Sequence, residues 1–247
     1  MPPAETASPP RTLDVLRPFA TEDVLRRVIR LAELTRDSRV LELGCGVGTS
    51  SLFLARELGC EIVAADVDDT ALRTLRERVE AENLAGHVDI QRVELHKLPF
   101  LPGAFDAVLM LARDVLPITE VLAKLRPCLA TRGKLCVSYP VKVGRAPDAA
   151  QLALWEKKLG EPLRLPRELL GLMEKGGFEP EWVESLSDVE LEELYQSADG
   201  TPALTGFVAE EASIFRAQAG LSSVTWAIGM GRRKEPGEKP PVSRDRG

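Results

Sequence analysis

The chain has 247 residues, 44% of them hydrophobic, with 38 acidic and 32 basic side chains and a formal net charge of −6. That is enough apolar mass for one large core or one core with a cap, and no apolar run approaches the roughly 20 residues of a bilayer-spanning helix. The acidic balance weighs against DNA, RNA or an anionic membrane as the main partner.

The opening Met1-Pro2-Pro3-Ala4-Glu5-Thr6 lacks the basic and apolar regions of a signal peptide, and residues 1–12 have the composition of a disordered segment. Thr21 with Glu22 and Asp23 predicts a helix start, and Val24, Leu25, Val28, Ile29 and Leu31 supply its apolar stripe. Val40, Leu41 and Leu43 then suit a short buried strand. Gly44, Gly46 and Gly48 follow on alternate positions, and Thr49 to Arg56 begins a helical pattern. Such a turn lets backbone approach a ligand without Cβ obstruction, and the exposed helix N–H groups favour an anionic group. Glu42, at the strand end, adds a carboxylate. The site suits a zwitterion, with ammonium on the acid and carboxylate on the N–H donors.

Glu61 to Asp66 is a second apolar strand ending in an acid, at the spacing where a nucleotide-binding unit sets a carboxylate against ribose hydroxyls. Asp68 or Asp69 fits the N-cap of the next helix, ahead of Ala71-Leu72-Arg73. Further strands are predicted at 88–94, 105–111 and 133–139, with His87 just before the third. Pro117 suits the first turn of the helix after the fourth strand, and Gly133 the turn before the fifth. Beyond Tyr139, helices are predicted at 149–159 and 166–175, the second ended by Gly176-Gly177. Alternating segments at 181–186 and 223–230 read as strands, and 188–220 carries two helical patterns between them. Residues 232–247 have the composition of a solvated tail. Strands alternating with helices argue for a mainly parallel sheet covered on both faces. Cys45, Cys60, Cys128 and Cys136 form neither a C-x-x-C pair nor a zinc spacing. They read as buried free thiols in a reducing cytoplasm, and no metal site is expected.

The segment Glu42 to Gly48 resembles motif I of the class I S-adenosylmethionine-dependent methyltransferases, an acid followed by Gly-x-Gly-x-Gly. The rival dinucleotide fingerprint requires a glycine at position 49, where Thr49 stands. Glu61 to Asp66 is similar to the family's second strand, and Val67 matches the position that packs on the adenine face. Val93-Glu94-Leu95-His96-Lys97-Leu98-Pro99-Phe100 is similar to the family's Gly-Asp-Ala-x-x-Leu-Pro-Phe segment, with Val and Glu replacing Gly and Asp. Gly103-Ala104-Phe105-Asp106-Ala107-Val108-Leu109-Met110 resembles its fourth strand. The matches span residues 38–140.

This resemblance implies a Rossmann-like α/β fold: a seven-stranded, mainly parallel sheet with helices on both faces, an antiparallel last strand and helical cap insertions. One domain at 13–231 is expected, with cap segments at 13–35, 141–165 and 188–220. The implied cofactor is S-adenosylmethionine, whose methionyl end is the zwitterion. The implied cofactor residues are Glu42, Gly44, Cys45, Gly46, Gly48, Asp66, Val67, Glu94, Leu95 and Ala112. Among them Glu94 accepts from the adenine amino group and the Leu95 N–H meets the ring.

In-line displacement at a sulfonium methyl expels a neutral thioether, so the protein must supply alignment, and a base only where the acceptor still carries a proton. Neither His87 nor His96 follows the fourth or fifth strand. Asp114 and Tyr139 do, and are the candidate catalytic residues; Arg113 is a candidate for an acceptor carboxylate or phosphate. Each has a structural reading as well: Asp114 as a helix cap, Tyr139 as a strand-end aromatic, Arg113 as a solvated side chain. Trp155 and Tyr195 are expected in the core, and Asp188, Glu190, Glu192 and Glu193 on a solvated helix face. The base-methylating Asn/Asp-Pro-Pro-Tyr/Phe motif is absent from Leu111-Ala112-Arg113-Asp114-Val115. What remains is a small-molecule methyltransferase resembling those of ubiquinone and menaquinone biosynthesis. Two other classes stay open: a non-catalytic S-adenosylmethionine-binding module, and an NAD(P)-dependent oxidoreductase, against which Thr49 and Glu42 count.

Overall fold

The computed structural model describes residues 19–111, 116–144, 148–198, 206–218 and 222–235. Seven strands form one sheet: β1 (Arg39–Leu43), β2 (Glu61–Asp66), β3 (Val88–Arg92), β4 (Phe105–Met110), β5 (Leu129–Lys142), β6 (Phe178–Ser185) and β7 (Val224–Arg233). Their order across the sheet is β3-β2-β1-β4-β5-β7-β6. The first five are parallel, and β7 runs antiparallel between β5 and β6. Among the described residues eight α-helices accompany them: α1 (Glu22–Leu31), α2 (Thr49–Leu58), α3 (Asp69–Ala81), α4 (Ile118–Leu125), α5 (Ala149–Leu159), α6 (Pro166–Lys175), α7 (Asp188–Ala198) and α8 (Gly206–Ala217).

Register assigns the helices to the two faces. Glu42 of β1 meets Ser51 of α2. Leu41, on the other side of β1, aligns through Val108 and Leu135 with Gly231. A Cβ on Gly231 or Gly229 would meet Met173 of α6. Side chains alternate across a strand, so α2 and α6 cover opposite faces. α1 lies on the α2 face: Arg26 sits over the Phe53 ring, while Arg27 pairs with Glu184 and sits over Trp182 of β6. Central strands β1 and β2 are buried over nearly their whole length, as an apolar run without alternation predicts.

Several boundaries differ from the sequence reading. β3 ends at Arg92, so Val93 and Glu94 lie in the loop beyond it. β5 begins at Leu129, and Gly133 lies inside it rather than in a preceding turn. The β4–β5 register shifts there, Arg132 has φ 60°, and a Cβ on Gly133 would lie 3.1 Å from the Asp106 carbonyl oxygen. The glycine therefore serves a bulge. Arg232 and Arg233, assigned to the tail, complete β7, because Glu179 holds Arg232 and the Leu129 carbonyl accepts from Arg233.

Candidate cofactor and acceptor site

The glycine loop leaves the carboxyl end of β1 at the centre of the sheet. Gly44, Gly46 and Gly48 have φ of 70°, 56° and 82°, so each adopts the left-handed conformation that glycine tolerates best. Gly48 is also a steric necessity: its Cβ would come 2.1 Å from Cδ1 of the buried Leu75 on α3. Gly48 precedes α2 with no side-chain cap, so the helix start offers backbone donors rather than a capping oxygen.

Asp66 ties this loop to β2. One carboxylate oxygen accepts from the Gly46 N–H at 2.8 Å; the other accepts from Val67 N–H at 2.7 Å and Asp68 N–H at 3.0 Å. Asp68 caps α3 through Thr70 and Ala71, as predicted. That frees Asp66 from capping and leaves it at the ligand edge. Arg78 of α3 donates to the Val47 carbonyl at 2.9 Å and braces the loop from behind. Its role was not evident in the sequence, since a basic residue in the last turn of a helix reads as a dipole partner.

Two of the residues expected at the cofactor are buried in this half. Glu42 is fully buried and accepts the Ser51 hydroxyl. That bond fastens β1 to α2. Cys45 is likewise buried, with Sγ toward the Gly46 carbonyl at 3.6 Å, and only its backbone belongs to the loop surface.

Val67 is 37% exposed, one of few large apolar side chains open to solvent among the described residues, and it follows Asp66 directly. Glu94 lies in the neighbouring loop after β3, 2.9 Å from His96 Nε2 and 3.7 Å from Arg92. Leu95 packs against the core. An exposed valine between two acids fits a planar ring with hydrogen-bonding groups at its edges.

In the acceptor half, Ala112, Arg113 and Asp114 lie outside the described residues. Tyr139 lies inside, on β5 beyond the level where β4 ends. It is buried, and its hydroxyl donates to Glu161 Oε1 at 2.6 Å. The same oxygen accepts from the Ile118 N–H at 3.0 Å, so Glu161 also satisfies the start of α4. Burial, then the hydrogen bond to Glu161 and the charge of that carboxylate, push the phenol well above its ordinary range. That direction favours the protonated phenol. Glu161 was missed in the sequence because it sits in a turn between two helices, 43 residues from the helix it caps.

Trp155 and Tyr195 are core residues: Trp155 packs edge-on against Phe207 and Trp226, and Tyr195 against Phe215. The acid run is absorbed locally. Asp188 accepts from Ser222, Glu190 closes a capping box with Ser187, and Glu192 pairs with Arg216. An open cavity of about 760 Å³ lies where β5 and β6 end and β7 begins, lined by Asp148, Ser187, Asp188 and Ser223 among others. It is remote from the glycine loop. None of the glycine-loop residues, Asp66 or Glu94 lines it, so this cavity is distinct from the candidate cofactor cleft.

A sheet in this order, with a reversed seventh strand and a glycine loop opposite a strand-end acid, is similar to that of solved methyltransferase structures. Residues 40–133 match the family of methyltransferase domains. Among curated proteins, it is 30% identical over 116 residues to the ubiquinone/menaquinone biosynthesis C-methyltransferase UbiE of Azotobacter vinelandii, covering 45% of this chain and 46% of that one. It is 27% identical over 143 residues to methyltransferase GfsG of Streptomyces halstedii, covering 57% and 51%. The chain spans about half or less of the length of these and the other curated relatives it matches most strongly. Among solved structures, the [4+2]-cyclase SpnF superposes with a TM-score of 0.66 at 21% identity, covering 87% of this chain and 82% of that one. A geranyl diphosphate methyltransferase bound to its diphosphate and sinefungin gives 0.65 at 16%, covering 84% and 77%. These likenesses establish the fold. That a cyclase shares it means the activity must be argued from the site.

Proposed function

We propose that the protein transfers a methyl group from S-adenosylmethionine to a small-molecule acceptor by in-line displacement. The observation that carries this reading is the Asp66 carboxylate bonded to the Gly46 N–H beside an uncapped helix start. It sets an acid for a ribose diol and donors for a carboxylate on one rigid loop. When bound, the cofactor supplies an electrophilic methyl on a sulfonium that leaves as a neutral thioether. In this reading the glycine loop takes the methionyl carboxylate, Asp66 the ribose, Val67 the adenine face, and Glu94 with the Leu95 N–H the adenine edge. Glu42 and Arg78 act from behind, as positioning residues. No group need protonate the thioether, and the chain's contribution is alignment, worth up to ~7–11 kcal/mol in favourable cases.

The acceptor is bound beyond the ends of β4 and β5, where open α/β sheets take their ligands. Tyr139 lines it as a fixed aromatic ring, its hydroxyl held by Glu161. Among the described residues no helix is long and apolar enough to cross a membrane. The four buried free thiols support a cytoplasmic setting. The test is release of S-adenosylhomocysteine from S-adenosylmethionine in the presence of pooled amines, phenols, thiols and carboxylates. Turnover with at least one pool is expected. Robust methylation of folded protein or RNA with every small pool inactive would overturn the reading.

A further inference from the structure

Between α5 and α6 the chain runs alongside β5 for one bridge. Arg164 pairs in parallel with Val141, and its carbonyl accepts from the Lys142 N–H at 2.8 Å. β4 ends level with Val137, and β7 occupies the other edge of β5. The turn carrying Glu161 and Arg164 therefore takes the place β4 has vacated, directly beyond its carboxyl end. Arg164 shares a face with Val141, and so with Tyr139 two residues before, and its charge is felt at that phenol.

Arg164 is only partly exposed, and its Nε is enclosed with no hydrogen-bond partner. Among the described residues its guanidinium forms no ion pair. Guanidinium cannot shed its charge, and an enclosed donor without an acceptor is unfavourable. The acids nearby do not relieve it: Glu161 is taken by Tyr139 and Ile118, and Glu168 caps the start of α6 at the Leu165 N–H. Lys142 and Arg167 add two further cations, close enough that Glu168 feels both together with Arg164. Three cations thus act on Glu168, which is already engaged at the Leu165 N–H.

We propose that Arg164, flanked by Lys142 and Arg167, receives an oxyanion, so that the acceptor carries a carboxylate or a phosphate. This rests on the acceptor lying beyond β4 and β5, as argued above. A planar fork beside a point charge suits either anion, and the fork makes Arg164 the specificity-determining member. Tyr139 adds no competing charge, since it holds its proton.

The test uses the full chain saturated with S-adenosylhomocysteine. Inorganic phosphate and acetate are titrated separately, and anion line widths are followed by phosphorus and carbon-13 magnetic resonance. At least one anion should broaden saturably, and the one that does names the class. Arg164→Gln should weaken that binding by about tenfold or more, as loss of charge-assisted hydrogen bonds requires. Arg164→Lys, which retains a charge but not the fork, should fall between and covers the case in which the glutamine variant does not fold. Equal binding in the wild type and the folded variants, or no saturable binding of either anion, would overturn the proposal. Calorimetry with S-adenosylhomocysteine on the same samples separates the two readings. A chain that binds it normally but ignores both anions loses only the oxyanion subsite, whereas one that does not bind it loses the methyltransferase reading.

Discussion

The two halves of the carboxyl edge are built differently. Around β1 to β3, the site is built largely on backbone groups of the strand-end loops: Asp66 bonds to Gly46, Asp68 to Thr70 and Arg78 to Val47. Around β4 to β7 it comes from turns and helices inserted between the strands. Glu161 joins Tyr139 to Ile118, Arg164 lies against Val141, and Gln151 accepts from Ser223 and Val224. The first half is fixed largely by backbone geometry and admits little change. The second is assembled from side chains on inserted helices, the kind of region that varies without disturbing the sheet.

If this contrast is right, damage to the first half should be most severe. Gly48→Ala should have the largest effect. It forces a left-handed residue and drives a methyl into buried Leu75, for a combined cost of about 2–4 kcal/mol in urea unfolding. S-adenosylhomocysteine affinity should fall with it. Asp66→Ala comes next. Losing a charged acceptor for ligand hydroxyls should cost ~1.5–3 kcal/mol in cofactor binding by calorimetry, and loop order should fall as Gly46 loses its tether. Unchanged affinity would mean Asp66 serves only the loop.

Much of the first half was legible because its constraints are local. Three alternating glycines after an apolar strand, and an acid ending the next strand, are patterns that only a few backbone arrangements satisfy. Asp68 was readable as a cap for the same reason. The bond from Ser51 to Glu42 was not legible, because the acid at the strand end was read for a ligand and not for the helix that follows. In the second half, no sequence pattern announces that a turn at 161–164 will dock beyond β4, since that contact depends on tertiary packing over long separations. Trp155 and Tyr195 were placed in the core by helical periodicity alone.

Smaller effects sharpen the second half. Tyr139→Phe should cost about 0.5–1.5 kcal/mol, since the hydroxyl leaves but Ile118 still satisfies Glu161. It should leave the pH profile of any turnover near neutrality unchanged, because the phenol is protonated throughout. A final effect concerns alkaline pH. Burial raises the thiols of Cys60, Cys128 and Cys136 above their ordinary value of 9.0. Burial with the Glu161 bond raises Tyr139 above 10.0. The unfolded chain loses these protons first, so the stabilisation is complete below pH 9 and declines as pH rises beyond it. Urea midpoints measured across that range should fall, and Tyr139→Phe should flatten the decline above pH 10.

Calorimetric titration of the full chain with S-adenosylhomocysteine and, separately, with NAD tests the central claim most directly. One saturable site for S-adenosylhomocysteine, weakened in Asp66→Ala, with no response to NAD, is the result this account predicts. Saturable NAD binding with no response to S-adenosylhomocysteine would contradict it.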